Sequence, residues 1–82
     1  MSRIEILEKI KSIIIENNPD KAINASMITE NSELVRDLEF DSMQMVYTAV
    51  VLEKEFNCRI GNEGYRKAKT IGDIIDLILK KE

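Results

Sequence analysis

Chemically useful side chains are few in this sequence, and the most informative is Ser42, which follows Asp41 at the start of a long stretch without glycine or proline. Asp and Ser are preferred at helix N-termini, so the pair predicts a helix that begins here. A serine at that position faces unpaired backbone N–H groups and the positive end of the helix dipole. A phosphoryl group on its hydroxyl would therefore be a stabilised anion. Taken alone, Ser42 is more simply interpreted as a plain N-cap, because serine is among the commonest caps.

Catalytic arrangements that depend on histidine are excluded, because the sequence contains no histidine. The commonest general base and metal ligand is missing, and with it any Ser-His-Asp or Cys-His site. Cys58 is the only cysteine, so no internal disulfide can form and a reducing cytoplasm is the expected compartment. No neighbouring base is evident that would activate its thiol, and we interpret Cys58 as a small packing residue. We therefore expect neither an enzyme nor a metal site.

The length of 82 residues corresponds to one small domain, which we place at residues 1–82. The formal charge of −3 lacks the basic footprint of nucleic-acid binders. The longest apolar runs have three or four residues, whereas a membrane-spanning helix needs about 20. No signal peptide is visible at the N-terminus. These features predict a cytoplasmic protein that acts on neither nucleic acid nor membranes.

Hydrophobic periodicity predicts three long helices, over residues 3–16, 42–56 and 70–81. The last begins at Thr70-Ile71-Gly72-Asp73, which predicts a capping box with Asp in place of Glu. A loop over residues 17–40 separates the first two helices and contains one helical turn around 33–38. A further short helical turn is expected near Tyr65 to Ala68, and no segment alternates like a strand. The predicted fold class is all-α, a small four-helix bundle with a long first loop and a short third helix.

The same periodicity predicts which side chains are buried. One stripe of the first helix should face the core, namely Ile4, Leu7, either Ile10 or Lys11, and Ile14. The second helix has two apolar stripes, and a domain of this size cannot easily bury both. We assign to the core the stripe of Met45, Ala49, Leu52 and Phe56. We expect to be at least partly exposed, beside Ser42, the stripe of Met43, Val46 and Val50. Apolar residues of the long loop should pin it to the helices, and these are Met27, Ile28, Leu34, Val35 and Leu38.

The order of residues between 34 and 60 resembles the acyl carrier protein family. The pattern is Leu-x-x-Asp-Leu, then Asp41-Ser42-Met43, then Val46, then Leu-Glu-x-Glu-Phe ending at Phe56, then Ile60. The resemblance implies that Ser42 is the attachment point of 4′-phosphopantetheine, which a phosphopantetheinyl transferase takes from coenzyme A. It also implies that Asp41 helps that transferase hold its metal ion. Acyl groups would then be carried as thioesters on the arm, so the protein would be a non-catalytic carrier.

The resemblance further implies that partner enzymes bind to the exposed side of the second helix. These partners would be acyl-loading and acyl-transferring enzymes of fatty-acid, polyketide or related lipid synthesis. A carrier that visits several of them is expected to be a monomer. The positions expected to contact them are Met43, Val46, Tyr47, Val50 and Lys54. Carriers of this family can also sequester a short acyl chain, and the lining expected for it here is Met45, Ala49, Leu52, Ile60, Ala68 and Ile71.

The sequence also departs from the family pattern at several positions. Gln44, Tyr47 and Lys54 stand where acidic residues are common, Glu39-Phe40 replaces a small pair, and Gly61 replaces a proline. Acidic residues on the second helix meet basic patches on partner enzymes, so these changes concern the choice of partner. We infer a specialised carrier with a dedicated set of enzymes. Two alternatives stay open, an unmodified helical interaction module with the same fold and an aminoacyl carrier.

Overall fold

The protein is described by a computed structural model that covers residues 1–19, 22–61 and 67–81. Its three α-helices in these ranges are α1 (Arg3–Asn17), α2 (Ser42–Phe56) and α3 (Ile71–Lys81), with a short 3-10 helix at Ala25–Met27. The described residues contain no strand, and one isolated bridge pairs Glu33 with Thr70. The predicted all-α class is confirmed. The short third helix predicted near Tyr65 to Ala68 falls largely outside the described residues.

Each of the three α-helices begins with a side-chain cap that the sequence encodes locally. At α1, Ser2 Oγ accepts from the Glu5 N–H at 3.2 Å, and Glu5 Oε1 accepts from the Ser2 N–H at 3.1 Å. At α3, Asp73 Oδ2 accepts from the Lys69 and Thr70 N–H groups at 2.9 and 3.1 Å, while Thr70 Oγ1 accepts from the Asp73 N–H at 3.1 Å. The predicted capping box of the last helix is therefore confirmed.

The backbone donors of these boxes also act on the carboxylates. Hydrogen bonds from the Lys69 and Thr70 N–H groups lower the pKa of Asp73, because they favour its charged form. In the same way, the Ser2 N–H lowers the pKa of Glu5. Both carboxylates therefore stabilise their helix start in the ionised form.

The core is made almost entirely of aliphatic side chains from all three helices and the long loop. α2 contributes Ala49 and Leu52, and Met45 and Phe56 are partly buried beside them, so the predicted core stripe of α2 is correct. In α1 the buried residues are Ile6, Ile10, Ile13 and Ile14. The prediction was wrong for Ile4, whose side chain is 73% exposed. α1 has seven aliphatic positions, so its sequence has more than one helical stripe and does not specify which one faces inward.

The long loop packs against the start of α3 through backbone hydrogen bonds. The Leu34 N–H donates to the Lys69 carbonyl at 3.0 Å, the Ile71 N–H to the Ser32 carbonyl at 3.0 Å, and the Gly72 N–H to the Glu30 carbonyl at 2.8 Å. A Cβ on Gly72 would lie 3.0 Å from that carbonyl oxygen, so this close approach favours glycine. Three backbone hydrogen bonds thus hold the loop against α3, and the sequence pattern does not reveal them because no segment has the alternation of a strand.

Side chains of the loop complete this attachment. Ile28, Leu34, Leu38 and Phe40 are buried, as the pattern predicted for the first three, whereas Met27 and Val35 are exposed and do not pin the loop. The buried Ser32 Oγ donates to the Met27 carbonyl and accepts from the Thr29 N–H, both at 2.9 Å. The expected helical turn is present, because the Asp37 N–H donates to the Glu33 carbonyl at 2.9 Å.

An arginine joins the two ends of the chain to this loop. Arg3 Nη2 lies 2.6 Å from Glu30 Oε1, and Arg3 Nη1 lies 2.5 Å from Asp76 Oδ1. Both hydrogen bonds raise the pKa of Arg3, so its charge is fixed at any accessible pH. These three charged side chains connect the start of α1, the loop and α3. They lie at the N-terminal end of α1, whereas the N-terminus of α2 lies near the C-terminal end of α1.

Candidate functional site

Asp41, and not Ser42, is the N-cap of α2. Its backbone is extended, and Oδ1 accepts from the Gln44 N–H at 2.9 Å. Gln44 Oε1 in turn accepts from the Asp41 N–H at 3.0 Å, which completes a capping box. From the sequence, either Asp41 or Ser42 could be the N-cap. The structure resolves this choice, and as a result Ser42 is the first helical residue.

The Ser42 hydroxyl is exposed and makes no hydrogen bond to any described residue. Two N–H groups at the start of α2 have acceptors: the Gln44 N–H donates to the Asp41 side chain, and the Met45 N–H donates to the Asp41 carbonyl at 3.0 Å. The N–H groups of Ser42 and Met43 have no acceptor within the described ranges. An anion bonded to Ser42 Oγ would therefore meet unpaired donors and the positive end of the helix dipole. The residues present fit a serine-linked phosphodiester.

The segment before Ser42 is anchored from inside. Phe40 is only 3% exposed, and its N–H donates to the Leu34 carbonyl at 3.0 Å. Glu39 has a φ of 56°, in the left-handed region that favours glycine. This reversal lets Phe40 enter the core while Asp41 and Ser42 return to the surface. Glu39 and Phe40, which replace the small pair of the family pattern, thus fix the position of Ser42.

One face of α2 exposes four large apolar side chains, which we call the α2 patch: Met43 (82% exposed), Val46 (57%), Tyr47 (55%) and Val50 (61%). Together with Ser42 they line a shallow, almost wholly apolar depression. The opposite face of the helix buries Thr48, Ala49 and Leu52. The predicted division of α2 into a core stripe and an exposed stripe is therefore confirmed, and the exposed stripe does begin beside Ser42. Lys54, also exposed, lies at the far end of this face.

Polar side chains tie the N-terminal half of α2 to the end of α1. The Tyr47 hydroxyl donates to Asn17 Oδ1 at 3.2 Å, and Gln44 Nε2 donates to Asn18 Oδ1 at 3.3 Å. The two asparagines also close α1, because their amide groups donate to the carbonyls of residues 13 and 14. Sequence reasoning missed this link, and the only signal for it was the Asn-Asn pair ahead of Pro19. Gln44 and Tyr47, two of the positions that replace acidic residues, are thus structural contacts as well.

Of the six residues predicted to line an acyl chain, two lie in a surface groove and four lie in the core. Met45 and Ala68 line a groove beside α2, together with Leu34 and Val35 from the loop and a charged rim of Glu33, Arg36, Lys67 and Lys69. The other four predicted residues do not line it, because they fill the hydrophobic core: Ala49, Leu52, Ile60 and Ile71. They were chosen for being apolar, and helix packing uses them instead.

None of the helices in the described part of the chain is long and apolar enough to cross a membrane. Within the described ranges, no group of three or more Cys, Asp or Glu side chains lies close enough together to hold a metal ion. The described surface thus offers an exposed Ser42 hydroxyl, the α2 patch and the groove beside Met45.

Comparison with known proteins gives a consistent result. The family model for the phosphopantetheine attachment site matches residues 8–78. The chain is 38% identical to the acyl carrier protein of Thermotoga maritima, over 98% of this chain and 95% of that one, and 37% identical to that of Lactobacillus acidophilus, over 95% and 94%. A solved structure of the acyl carrier protein from Enterococcus faecalis superimposes with a TM-score of 0.78 at 32% identity and covers all of both chains.

These matches span nearly the whole chain and agree with the geometry of the α2 N-terminus. They confirm the resemblance drawn from residues 34–60. Acyl carrier proteins are non-catalytic carriers that work with acyl-handling enzymes and are modified by a phosphopantetheinyl transferase. The covalent cofactor implied for the chain is 4′-phosphopantetheine. The protein belongs to the acyl carrier protein family.

Proposed function

We propose that Ser42 carries the 4′-phosphopantetheine arm and that the loaded protein, acting as one carrier domain over residues 1–82, delivers acyl thioesters to enzymes of fatty-acid or related lipid synthesis. The observation that carries this proposal is the state of the Ser42 hydroxyl, which is exposed at the first position of α2 and is not used as a cap. Because Asp41 already caps the helix, modification of Ser42 breaks no structural hydrogen bond in the described residues.

Loading is a phosphoryl transfer in which Ser42 Oγ supplies the nucleophile. Its oxygen forms a bond to the phosphorus of the pantetheine phosphate in coenzyme A, and the bond from that phosphorus to 3′,5′-ADP breaks. The hydroxyl proton passes to the transferase, and 3′,5′-ADP leaves. The chain itself has no histidine to act as base, which supports the assignment of this step to a separate enzyme.

Asp41 suits a supporting role in that step. Its Oδ1 is occupied by the cap, whereas Oδ2 makes no hydrogen bond within the described ranges and the residue is exposed. A carboxylate oxygen beside the attacking hydroxyl could ligate the metal ion that the transferase brings, since hard divalent cations prefer oxygen ligands. We assign this role to Asp41, and the cap remains with Oδ1.

The α2 patch is the proposed contact surface for the partner enzymes. Four exposed large apolar residues next to the attachment serine form the kind of patch that marks protein interaction sites. We include Lys54 at its end as the charged contact. We expect the carrier to act as a monomer in the cytoplasm, where coenzyme A and the transferase are available.

The test is a loading reaction followed by intact mass measurement. The purified chain is incubated with coenzyme A and a broad-specificity phosphopantetheinyl transferase, beside Ser42→Ala and the matched control Ser12→Ala, which removes another exposed helical serine. The wild type and Ser12→Ala should each gain the mass of one phosphopantetheine, and Ser42→Ala should gain none. A folded wild type that gains no mass contradicts the proposal and favours the unmodified interaction module.

The cargo class is tested on the loaded protein. We expect transfer of an acyl group from acyl-coenzyme A by an acyltransferase to produce a thioester that hydroxylamine cleaves. Loading by an amino-acid-adenylating enzyme, without any acyl transfer, would instead establish the aminoacyl carrier. In both assays the Ser42→Ala protein serves as the blank.

A further inference from the structure

Three hydrogen bonds in series connect the last turn of α1 to the residue before Ser42. Asn18 Nδ2 donates to the Ile14 carbonyl at 2.8 Å, and Asn18 Oδ1 accepts from Gln44 Nε2 at 3.3 Å. The series ends where the Asp41 N–H donates to Gln44 Oε1 at 3.0 Å. We call Asn18 and Gln44 the amide pair, because their side-chain amides form the middle of this connection.

The direction of every bond in the series is fixed. The Ile14 carbonyl can only accept and the Asp41 N–H can only donate. Each side-chain amide has a donating nitrogen and an accepting oxygen, so only one orientation of each satisfies both of its neighbours. Both residues of the amide pair are half-buried. The pair is therefore a defined connection between α1 and the N-terminus of α2.

The series also accounts for an amide at position 44, where acidic residues are common in the family. A Glu side chain there would still accept from the Asp41 N–H, but its second oxygen would face Asn18 Oδ1. That oxygen is an acceptor as well, since the Asn18 amide nitrogen is bonded to the Ile14 carbonyl. Two acceptors that face each other leave both without a hydrogen bond, which costs free energy at a half-buried position. Gln44 thus makes a contact that an acidic residue would lose.

The contacts of Gln44 determine where Asp41 and Ser42 lie. The Gln44 side chain holds the Asp41 N–H, and the Gln44 N–H holds Asp41 Oδ1 at 2.9 Å. The buried side chain of Phe40 fixes the chain on the preceding side. Ser42 follows Asp41 directly, so the orientation of its hydroxyl depends on these contacts. The amide pair adds the connection to α1.

We propose that Asn18 and Gln44 are positioning residues for the loading of Ser42, which they orient through Asp41 by joining the N-terminus of α2 to the end of α1. This inference rests on the proposed function and adds two residues to it. Both act through Asp41 and have no contact with the reacting oxygen of Ser42. Positioning of this kind matters for rate, because a displacement of about 1 Å can cost roughly 100-fold.

A second hydrogen bond between the two helices provides a matched control. Asn17 Nδ2 donates to the Ile13 carbonyl at 2.7 Å, and Asn17 Oδ1 accepts from the Tyr47 hydroxyl at 3.2 Å. Asn17 therefore repeats the contacts of Asn18 one residue earlier, but it reaches Tyr47 and not Asp41. Asn17→Ala removes the same kinds of contact and leaves the series that ends at Asp41 in place.

The experiment compares the wild type, Asn18→Ala, Asn17→Ala, Gln44→Ala and the double variant Asn18→Ala/Gln44→Ala. The kcat and KM for loading are measured with a broad-specificity phosphopantetheinyl transferase, with the carrier as the varied substrate. Amide hydrogen exchange, followed by NMR on the unloaded proteins, reports on the Asp41 and Phe40 N–H groups. Urea denaturation establishes that each variant is folded at the assay temperature.

In Asn18→Ala, kcat should fall about 3- to 10-fold and KM should change by less than about 2-fold, because the cap and the α2 patch remain. Its Asp41 N–H should exchange faster, whereas the Phe40 N–H, bonded to the Leu34 carbonyl, should keep its protection. Asn17→Ala should leave kcat and the exchange of Asp41 unchanged. In the Gln44→Ala background the Asn18 substitution should have no further effect, because its influence passes through Gln44.

An Asn18→Ala protein with the kcat of the wild type would overturn the inference, even if its stability were reduced, since the pair would then serve the fold alone. An effect of Asn18→Ala that persists in full beside Gln44→Ala would overturn it as well. In both cases the wild type still loads and the assignment of Ser42 is intact. A wild type that gains no phosphopantetheine would instead contradict the proposed function, and this inference with it.

Discussion

Two regions of this protein differ in whether their apolar side chains are buried and their polar groups are hydrogen-bonded. In the anchored region, where the loop meets α3 and the start of α1, apolar groups are buried and polar groups are paired: Ser32 with the Met27 carbonyl, Gly72 with Glu30, and Arg3 with two carboxylates. In the site region, which comprises Asp41 and residues 42–50 of α2, a serine hydroxyl has no partner among the described residues and large apolar side chains face outward. Groups left unsatisfied on an otherwise well-packed small domain are the ones that function requires.

The largest expected difference lies between two apolar residues of α2. Leu52 is fully buried, so Leu52→Ala should reduce the free energy of unfolding by about 2–5 kcal/mol. Val50 is 61% exposed, so Val50→Ala should change it by less than about 0.5 kcal/mol. Urea denaturation followed by circular dichroism measures both. Equal losses would show that the α2 patch is part of the core and is not a docking surface.

The next comparison is between two serines. Ser32→Ala removes a buried hydroxyl with three hydrogen bonds and should reduce the free energy of unfolding by about 1–3 kcal/mol while loading still occurs. Ser42→Ala should abolish loading and change stability by less than about 0.5 kcal/mol, since Asp41 keeps the cap. Denaturation curves and intact mass, measured on the same samples, separate the two effects. A Ser42→Ala protein that loses as much stability as Ser32→Ala would indicate a structural role for Ser42.

The site region could be predicted from the sequence because its signals are local. An Asp-Ser pair ahead of eighteen residues without glycine or proline specifies where α2 begins, and the spacing of Met43, Val46 and Val50 specifies its exposed stripe. The capping box of α3 could be predicted for the same reason, because Thr70 and Asp73 lie within one turn. Local signals of this kind do not depend on the rest of the fold.

The anchored region could not be predicted, because its contacts join distant parts of the chain. The hydrogen bond from the Gly72 N–H to the Glu30 carbonyl is a backbone contact that leaves no trace in side-chain type. The inward face of α1 depends on such contacts too, and with seven aliphatic positions its sequence permitted the incorrect assignment of Ile4. The exposure of Met27 and Val35 has the same origin, since the backbone hydrogen bonds of the loop determine which of its apolar side chains point inward.

A smaller effect distinguishes the two non-glycine residues with positive φ. Glu39 has a φ of 56° and Asn57, the C-cap of α2, a φ of 50°. Glutamate is strained in this region whereas asparagine is tolerated. Glu39→Gly should therefore raise the free energy of unfolding by about 0.5–1 kcal/mol, and Asn57→Gly should raise it less.

Glu39→Ala is the control for the side chain, because it removes the carboxylate and keeps the Cβ that causes the strain. Thermal and urea denaturation of the three variants provide the comparison. If Glu39→Ala stabilises the protein as much as Glu39→Gly, the gain comes from the carboxylate, and the backbone before Ser42 is unstrained.

The smallest expected effect is a pH dependence that originates in the anchored region. Backbone N–H groups of Lys69 and Thr70 lower the pKa of Asp73 in the folded protein, so the unfolded chain binds a proton at a higher pH than the folded one. The contribution of Asp73 is therefore fully present above its unfolded pKa of about 3.9 and is lost as the pH falls through the lower folded value. Asp73→Asn keeps an acceptor for the cap but removes this titration, so its free energy of unfolding should fall less steeply between about pH 5 and pH 2.

Urea denaturation across this range, with Asp76→Asn as the control at an exposed position of the same helix, measures the slope. The Asp76→Asn variant removes the charge that pairs with Arg3 and should lose some stability at neutral pH. A slope in Asp73→Asn equal to that of the wild type would show that the cap of α3 does not depend on the charge of Asp73.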